Sequence, residues 1–252
     1  MSPHPPRIRL GVIVPSSNTA LEPLTQQMVA AIPRAIAHVT VHFARFRVTK
    51  IELSDESTAQ FALEPMLEAA RLLADAKVDM IGWSGTSASW LGLASDEALC
   101  RAIEDITAIP ATSSVLAMYA ILSKMPSPET GLLTPYLPEV NLAIANTLAA
   151  TGLPIEEAKS RCAGLSTNFD FASLSEEQLD NMMQEIVENG AKTVLIVCTN
   201  VGAAHRAVLW EQKHKITVLD SVATVLLGML HHLEVEYSHL ADDWGSIFKI
   251  TI

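Results

Sequence analysis

The sequence predicts an α/β fold built from two similar halves, each a mostly parallel sheet flanked by helices, with one cleft between them. Three observations carry that expectation. Short runs of branched apolar residues alternate along the chain with segments of helical period, the pattern of strand–helix–strand units. The pattern restarts after the Pro-rich polar stretch Lys124-Met125-Pro126-Ser127-Pro128-Glu129-Thr130, which marks a domain crossing. The strand-like runs end in small polar residues, where open α/β sheets bind their ligands.

Composition narrows the class. A hydrophobic fraction of 49% with 18% charged residues excludes a disordered chain, and 252 residues suffice for a large core. A formal net charge of −11 with scattered Lys and Arg argues against nucleic-acid binding, which needs clustered cations. No run approaches the roughly 18 apolar residues of a membrane span, so no membrane partner is expected. Met1-Ser2-Pro3-His4-Pro5-Pro6 lacks the apolar stretch of a secretory signal and reads as a frayed leader. Cys100, Cys162 and Cys198 form no CxxC pair and leave an odd count, the usage of a reduced, cytoplasmic protein.

Taken in order, residues 7–14 (RIRLGVIV) read as a buried strand. Pro15-Ser16-Ser17-Asn18-Thr19 interrupts it before Leu21, Leu24, Met28 and Val29 set a helical period. Free N–H groups at that helix start make the turn an anion site, and capping alone also suits Ser17, Asn18 or Thr19. Residues 38–46 alternate as a second strand, with Arg45 and Arg47 as solvated charges at its end. Residues 57–76 carry Phe61, Leu63, Met66, Leu67, Ala70 and Leu73 at helical spacing and lead to the strand before Trp83. Helices are expected over 96–105 and 115–122, with a short strand at 110–114 between them.

Beyond the crossing, residues 131–133 are a strand ending at Thr134-Pro135-Tyr136, 139–150 a helix, and 162–165 a strand ending at Ser166-Thr167-Asn168. Residues 175–189 are helical, with Ser175 and Gln178 spaced as a capping box. Residues 194–197 form the next strand, and 216–219 one more, followed by an apolar helix through Leu230 with His231 and His232 at its end. The expected domains are 1–125 plus a returning segment 216–252, and 126–215.

Two strand ends concentrate the chemistry. In residues 80–92 (MIGWSGTSASWLG) an apolar run halts at Ser84, Gly85, Thr86 and Ser87, and the run 194–197 halts at Cys198, Thr199 and Asn200. An isolated cysteine ending an apolar strand is usually inert core. Cys198 is followed by Thr199, Asn200, Gly202 and a helical run, so its sulfur faces a helix start, a setting that makes a thiol reactive. Tyr136 either covers core at its turn or directs a phenol into the same cleft. Gly82, Gly85 and Gly92 have neither Walker nor Rossmann spacing. His38 and His42 share a strand face without a third ligand, so no metal site is expected.

Val14-Pro15-Ser16-Ser17-Asn18-Thr19 with Glu22, the Thr134-Pro135-Tyr136 turn, Asn168 and Cys198-Thr199 together resemble the maleate cis-trans isomerases of the Asp/Glu racemase superfamily, whose relatives the arylmalonate decarboxylases share the scaffold. The resemblance runs from about Gly11 to the strand before Asp220. It implies two pseudo-symmetric Rossmann-like α/β domains, no cofactor, a dimer or larger homo-oligomer, and carbanion chemistry at a carbon next to a carboxylate. By resemblance, the carboxylate-binding residues fall on Asn18, Tyr136 and Asn168, and the catalytic cysteine of the C-terminal half on Cys198. The sequence departs from the isomerases and racemases at Gly85-Thr86-Ser87, where they carry a first cysteine; Gly-Thr-Ser there resembles the decarboxylases.

Glycine can neither move a proton nor add to a double bond, which racemisation by two bases and isomerisation by a thiolate require. Decarboxylation needs only donors for the surviving carboxylate as it becomes an enediolate, and one acid. The expected enzyme therefore acts on a small carboxylate or dicarboxylate, with Cys198 as proton donor, Thr86, Ser87 and Tyr136 stabilising charge, and Ser17, Asn18, Ser84, Gly85, Asn168, Thr199 and Asn200 lining the substrate site. The bare Gly85 is expected to leave room for a larger substituent. The alternatives are an isomerase or racemase in which Ser84 or Ser87 replaces the first cysteine, and a non-catalytic dicarboxylate-binding protein.

Overall fold

Branched apolar residues along 7–15 make β1 (Arg7–Pro15) an interior strand of the first sheet, its last six residues buried. The computed structural model describes residues 5–125 and 129–252, so residues 1–4 of the expected leader and 126–128 of the expected crossing lie outside the described residues. The first half continues through α1 (Leu21–Ala30), β2 (His38–Phe46), α2 (Asp55–Ala59), α3 (Leu63–Asp75), β3 (Met80–Trp83), α4 (Ala88–Leu91), α5 (Leu93–Thr107), β4 (Ala111–Ser113) and α6 (Ser114–Leu122). The second comprises β5 (Thr130–Thr134), α7 (Pro138–Ala150), β6 (Ser160–Cys162), α8 (Asn168–Phe171), α9 (Glu176–Glu188), β7 (Thr193–Ile196), α10 (Ala207–His214) and β8 (Thr217–Asp220), with α11 (Ser221–His232) and α12 (Ala241–Trp244) following.

Two four-stranded parallel sheets result, in the orders β2-β1-β3-β4 and β6-β5-β7-β8. The orders are the same once the second is renumbered, so β7 is the counterpart of β3 and β5 of β1. Because the strands within each sheet are all parallel, the turns that follow their carboxyl ends gather along one edge of that sheet. Among the described residues no helix is long and apolar enough to cross a membrane, and no group of three His, Cys, Asp or Glu side chains is placed to hold a metal ion.

The structure revises four expectations. The chain does not return to the first half at residue 216: β8 pairs in register with β7, Thr193 opposite Thr217 through Ile196 opposite Asp220. The return begins with α11, which lies so close to β3 that a Cβ on Gly82 would stand 2.6 Å from Met229 Sδ and 2.9 Å from Val225 Cγ2. An apolar tetrapeptide carries the same strand signal whichever sheet it joins.

Residues 57–76 are not one helix. Pro65 lacks the N–H a continuous helix would aim at residue 61, and its ring would crowd that carbonyl, so it is accommodated in the first turn of a new helix, α3. The strand expected at 162–165 is finished by Cys162, because Ala163, Gly164 and Leu165 turn their N–H groups onto the carbonyls of Thr134, Tyr136 and Pro135. That lacing fixes the tyrosine turn. Arg45 is no idle surface charge: its Nη1 donates to the carbonyls of Ser16 (2.8 Å) and Asn18 (3.1 Å), and it pairs with Glu22 at 2.8 Å. The capping box of Ser175 and Gln178 is present at the start of α9, as expected.

Candidate active site between the two halves

Cys198 stands two residues beyond β7, and Gly85 two residues beyond β3, its counterpart in the first sheet. The pseudo-equivalent strand ends therefore present a thiol on one side and no side chain on the other. Between them lies a narrow cavity of about 20 Å³, bounded by Cys198, Tyr136 and Asn168 from the second half and Gly85, Thr86 and Ser87 from the first. Apart from Thr199 its remaining wall is apolar, with Val48, Ile51, Phe61, Trp83 and Trp90 contributing. As it stands this space admits about one water-sized group, so a larger ligand enters only if the side chains around it give way. Segment 48–51 roofs it by pairing across the halves, Ile51 N–H to Ser166 O at 2.8 Å and Asn168 N–H to Thr49 O at 3.0 Å.

The thiol of Cys198 is 2% exposed. Burial pushes its pKa up to about 12 and the nearby Asp220 adds to the rise, while the Tyr136 hydroxyl and the N–H groups of Asn200 and Val201 pull it down. The Asn200 N–H lies 3.4 Å from Sγ. Sequence reasoning anticipated these turn donors and the activation they bring, but desolvation outweighs them. The resting group is a thiol, not a thiolate.

Tyr136 is buried edge-on between Trp90 and Phe171, with ring centroids 5.5 and 5.3 Å away. Its hydroxyl lies 2.9 Å from Thr86 Oγ1, and burial, with Cys198 beside it, holds its pKa well above the usual phenol value. Thr86, Tyr136 and Cys198 thus form a chain of neutral hydroxyl and thiol groups along one wall.

The remaining candidates divide into wall and clasp. Asn168 and Thr199 line the cavity. Asn168 gives its amide N–H to Ser17 Oγ (2.7 Å), and Ser17 in turn donates to Val48 O (2.5 Å), so Ser17 holds the roof. Asn18 accepts from Ala20 and Leu21 N–H in the turn leading into α1 and donates to Thr199 Oγ1 at 3.2 Å, while Thr199 donates to Ser84 O. Asn200 accepts from Thr19 and Ala20 N–H and donates to Asn168 O. The amides of Asn18 and Asn200 are thus committed to joining the two halves, and neither residue lines the cavity. The Ser84 hydroxyl is buried away from the cavity, without a protein partner among the described residues.

Gly85 does not leave open space. A Cβ built there would lie well inside 3 Å of Cζ2, Cε2 and Cη2 of Trp83, closer than real Cβ atoms come. The room expected for a substrate substituent is occupied by this chain's own indole. Trp83 is 0% exposed and packs on Phe46 with ring centroids 5.3 Å apart.

Sequence reasoning gave no role to Trp83, Trp90, Phe61, Val48 or Ile51. The aromatic residues bracketing Ser84 to Ser89 were a readable signal; the roof residues, on a loop after β2, carried none. Asp220 also went unassigned. It caps α11 through Val222 and Ala223 N–H, is buried, and is raised by that burial to about 7 against the pull of those two donors.

Two like-ordered parallel sheets with facing strand ends, a buried thiol on one of them and hydroxyl donors between, define a two-domain α/β protein of the racemase type. The chain belongs to the Asp/Glu/hydantoin racemase family, whose model matches residues 10–226. No curated protein matches its sequence. Among solved structures it is similar to the Nocardia farcinica maleate cis-trans isomerase with a covalently bound succinylcysteine intermediate, with a TM-score of 0.84, 18% identity, and 97% of this chain and 99% of that one covered. The maleate isomerase of Pseudomonas putida S16 superposes with a TM-score of 0.77 at 20% identity, covering 91% and 93%. An arylmalonate decarboxylase superposes at 0.71 and 18%, covering 89% and 91%.

Proposed function

We propose that this chain is a cofactor-independent decarboxylase of small malonate-type diacids, with Cys198 as the proton donor. The observation that carries the reading is the pairing of a protonated, buried thiol at Cys198 with an indole-packed glycine at the equivalent position, so that one acid and no second base faces the cavity. Loss of CO2 leaves the electron pair of the broken C–C bond delocalised into the remaining carboxylate as an enediolate. Thr86, Ser87 and Tyr136 line the cavity and in this reading supply the donors for that charge, where one well-placed donor is worth about 2.7–4 kcal/mol of barrier. The Cys198 S–H bond then breaks, its proton goes to the α-carbon, and the thiolate recovers a proton from water. The sum consumes one proton and releases CO2 and a monocarboxylate.

Release of CO2 from malonate, methylmalonate and phenylmalonate by the purified protein tests the proposal, with one deuterium expected at the α-carbon in D2O. Cys198→Ser should lose that activity while keeping the circular dichroism spectrum of the parent. Silence across the panel, or an active serine variant, refutes the assignment. Conversion of maleate to fumarate would place the protein with the isomerases instead.

A further inference from the structure

We infer that Trp83 is a ligand-contacting residue of this cavity, its indole N–H donating to a carboxylate oxygen of the bound diacid on the Gly85 side. The inference rests on the diacid reading above. Alternation along β3 sends Gly82 toward α11 and Trp83 to the opposite face, against Phe46 and Gly85. The ring atoms nearest Gly85 are Cζ2, Cε2 and Cη2, and Cε2 is bonded to Nε1. The six-membered ring of the indole therefore lies over Gly85, and Trp83 and Gly85 both line the cavity.

That N–H is buried and has no acceptor among the described residues. Buried donors are nearly always paired, and the other deeply buried tryptophan obeys the rule: Trp210 Nε1 donates to Asp180 at 2.7 Å. Phe46, the neighbour on the Trp83 ring, offers no acceptor. Of the other groups near the cavity, Tyr136 and Thr86 share one hydrogen bond, which leaves one of their two hydroxyl protons for a ligand, and the Asn168, Asn18 and Asn200 amides are bonded to Ser17, Thr199 and the Asn168 carbonyl. A donor with no acceptor, on an otherwise apolar wall facing a site for diacids, fits an anionic oxygen. It also gives the bare glycine a purpose, because a side chain at position 85 would displace the indole from this place.

The test uses the full chain labelled with 15N at the indole nitrogens and malonate as the probe. The Trp83 Nε1–H resonance, identified by its loss in Trp83→Phe, is expected to move saturably with malonate. Calorimetry should find malonate binding about tenfold weaker in Trp83→Phe, equivalent to ~1.4 kcal/mol. If that variant does not fold, the resonance is assigned by elimination from Trp90→Phe, Trp210→Phe and Trp244→Phe, and the titration decides alone. Malonate that binds the parent without moving the Trp83 resonance overturns the donor role and leaves the diacid reading intact, with Trp83 as filler whose N–H meets only water. Failure of both malonate and phenylmalonate to bind the parent overturns the diacid reading and the donor role together.

Discussion

Gly85→Ala adds one methyl group, and the structure says where it goes. The backbone at Gly85 is not left-handed, so alanine is conformationally allowed, and on that ground alone the change would stabilise by about 0.4–1 kcal/mol through the unfolded chain. The new Cβ, however, stands well inside 3 Å of three Trp83 ring atoms, where carbon pairs rest at about 3.5–4.0 Å. The indole must withdraw by about 1 Å or more, yet it is fully buried and packed on Phe46. Overpacking of this kind costs about 1–3 kcal/mol, and the rigid surroundings place it near the upper end. For a chain of this size that lowers the melting temperature by roughly 2–4 °C per kcal/mol. Trp83→Leu removes the ring atoms in question, so in that background Gly85→Ala should become neutral or mildly stabilising. Urea unfolding of the parent, both single variants and the double variant gives the coupling energy directly. If the two changes add within about 0.5 kcal/mol, Trp83 does not occupy the space over Gly85 and the reasoning fails.

Three further outcomes follow from the same geometry. Asn200→Ala removes the side chain that accepts from Thr19 and Ala20 and donates to Asn168, and should lower stability by about 1–3 kcal/mol in urea unfolding while abolishing malonate binding. Asp220 is protonated in the folded chain up to about pH 7 but ionises near 3.8 when unfolded, so its contribution to stability is complete below pH 4 and lost as pH rises toward 7. The loss is about 4 kcal/mol; burial also raises Asp96 to about 7, so Asp220→Asn, which keeps the capping oxygen, should roughly halve the slope of the stability profile across that window, and an unchanged slope would place the titration elsewhere. Because burial keeps Cys198 and Cys100 as thiols up to about pH 12, a charged thiol reagent at pH 8 should modify the half-buried Cys162 alone in the native protein and all three cysteines after unfolding. Rapid native labelling of Cys198 would contradict its assignment as a resting acid.

The position of the site relies on what the strands have in common. Parallel strands with the same order in both halves gather strand-end turns at the cleft, and the turn after β1 is anchored there by its own Asn18 together with the distant Arg45 and Asn200. That is why a residue such as Asn200, adjacent to the catalytic candidate, spends its amide on assembly. The cleft exists because the two halves are clasped, and the clasp uses the same polar residues that the sequence offers for binding.

The sequence by itself determined the alternation of strands and helices, the repeat of the pattern in two halves, and the strand-end clusters Thr86-Ser87, Tyr136, Asn168 and Cys198 that the structure brings to one cavity. These are local signals: an apolar run of strand length and a polar stop can be read from adjacent residues. Only the tertiary structure decided which sheet received β8, since pairing partners are set by contacts between distant segments. It also separated Asn18, Ser84 and Asn200 from the cavity lining, because a polar side chain facing a ligand and one facing a neighbouring turn have the same chemistry in a sequence. The sharpest difference is at Gly85. A glycine in a sequence reads as empty space, and what fills it is fixed by a side chain two residues earlier that folds back over the strand end, so the tertiary structure turned an expected opening into a tryptophan wall.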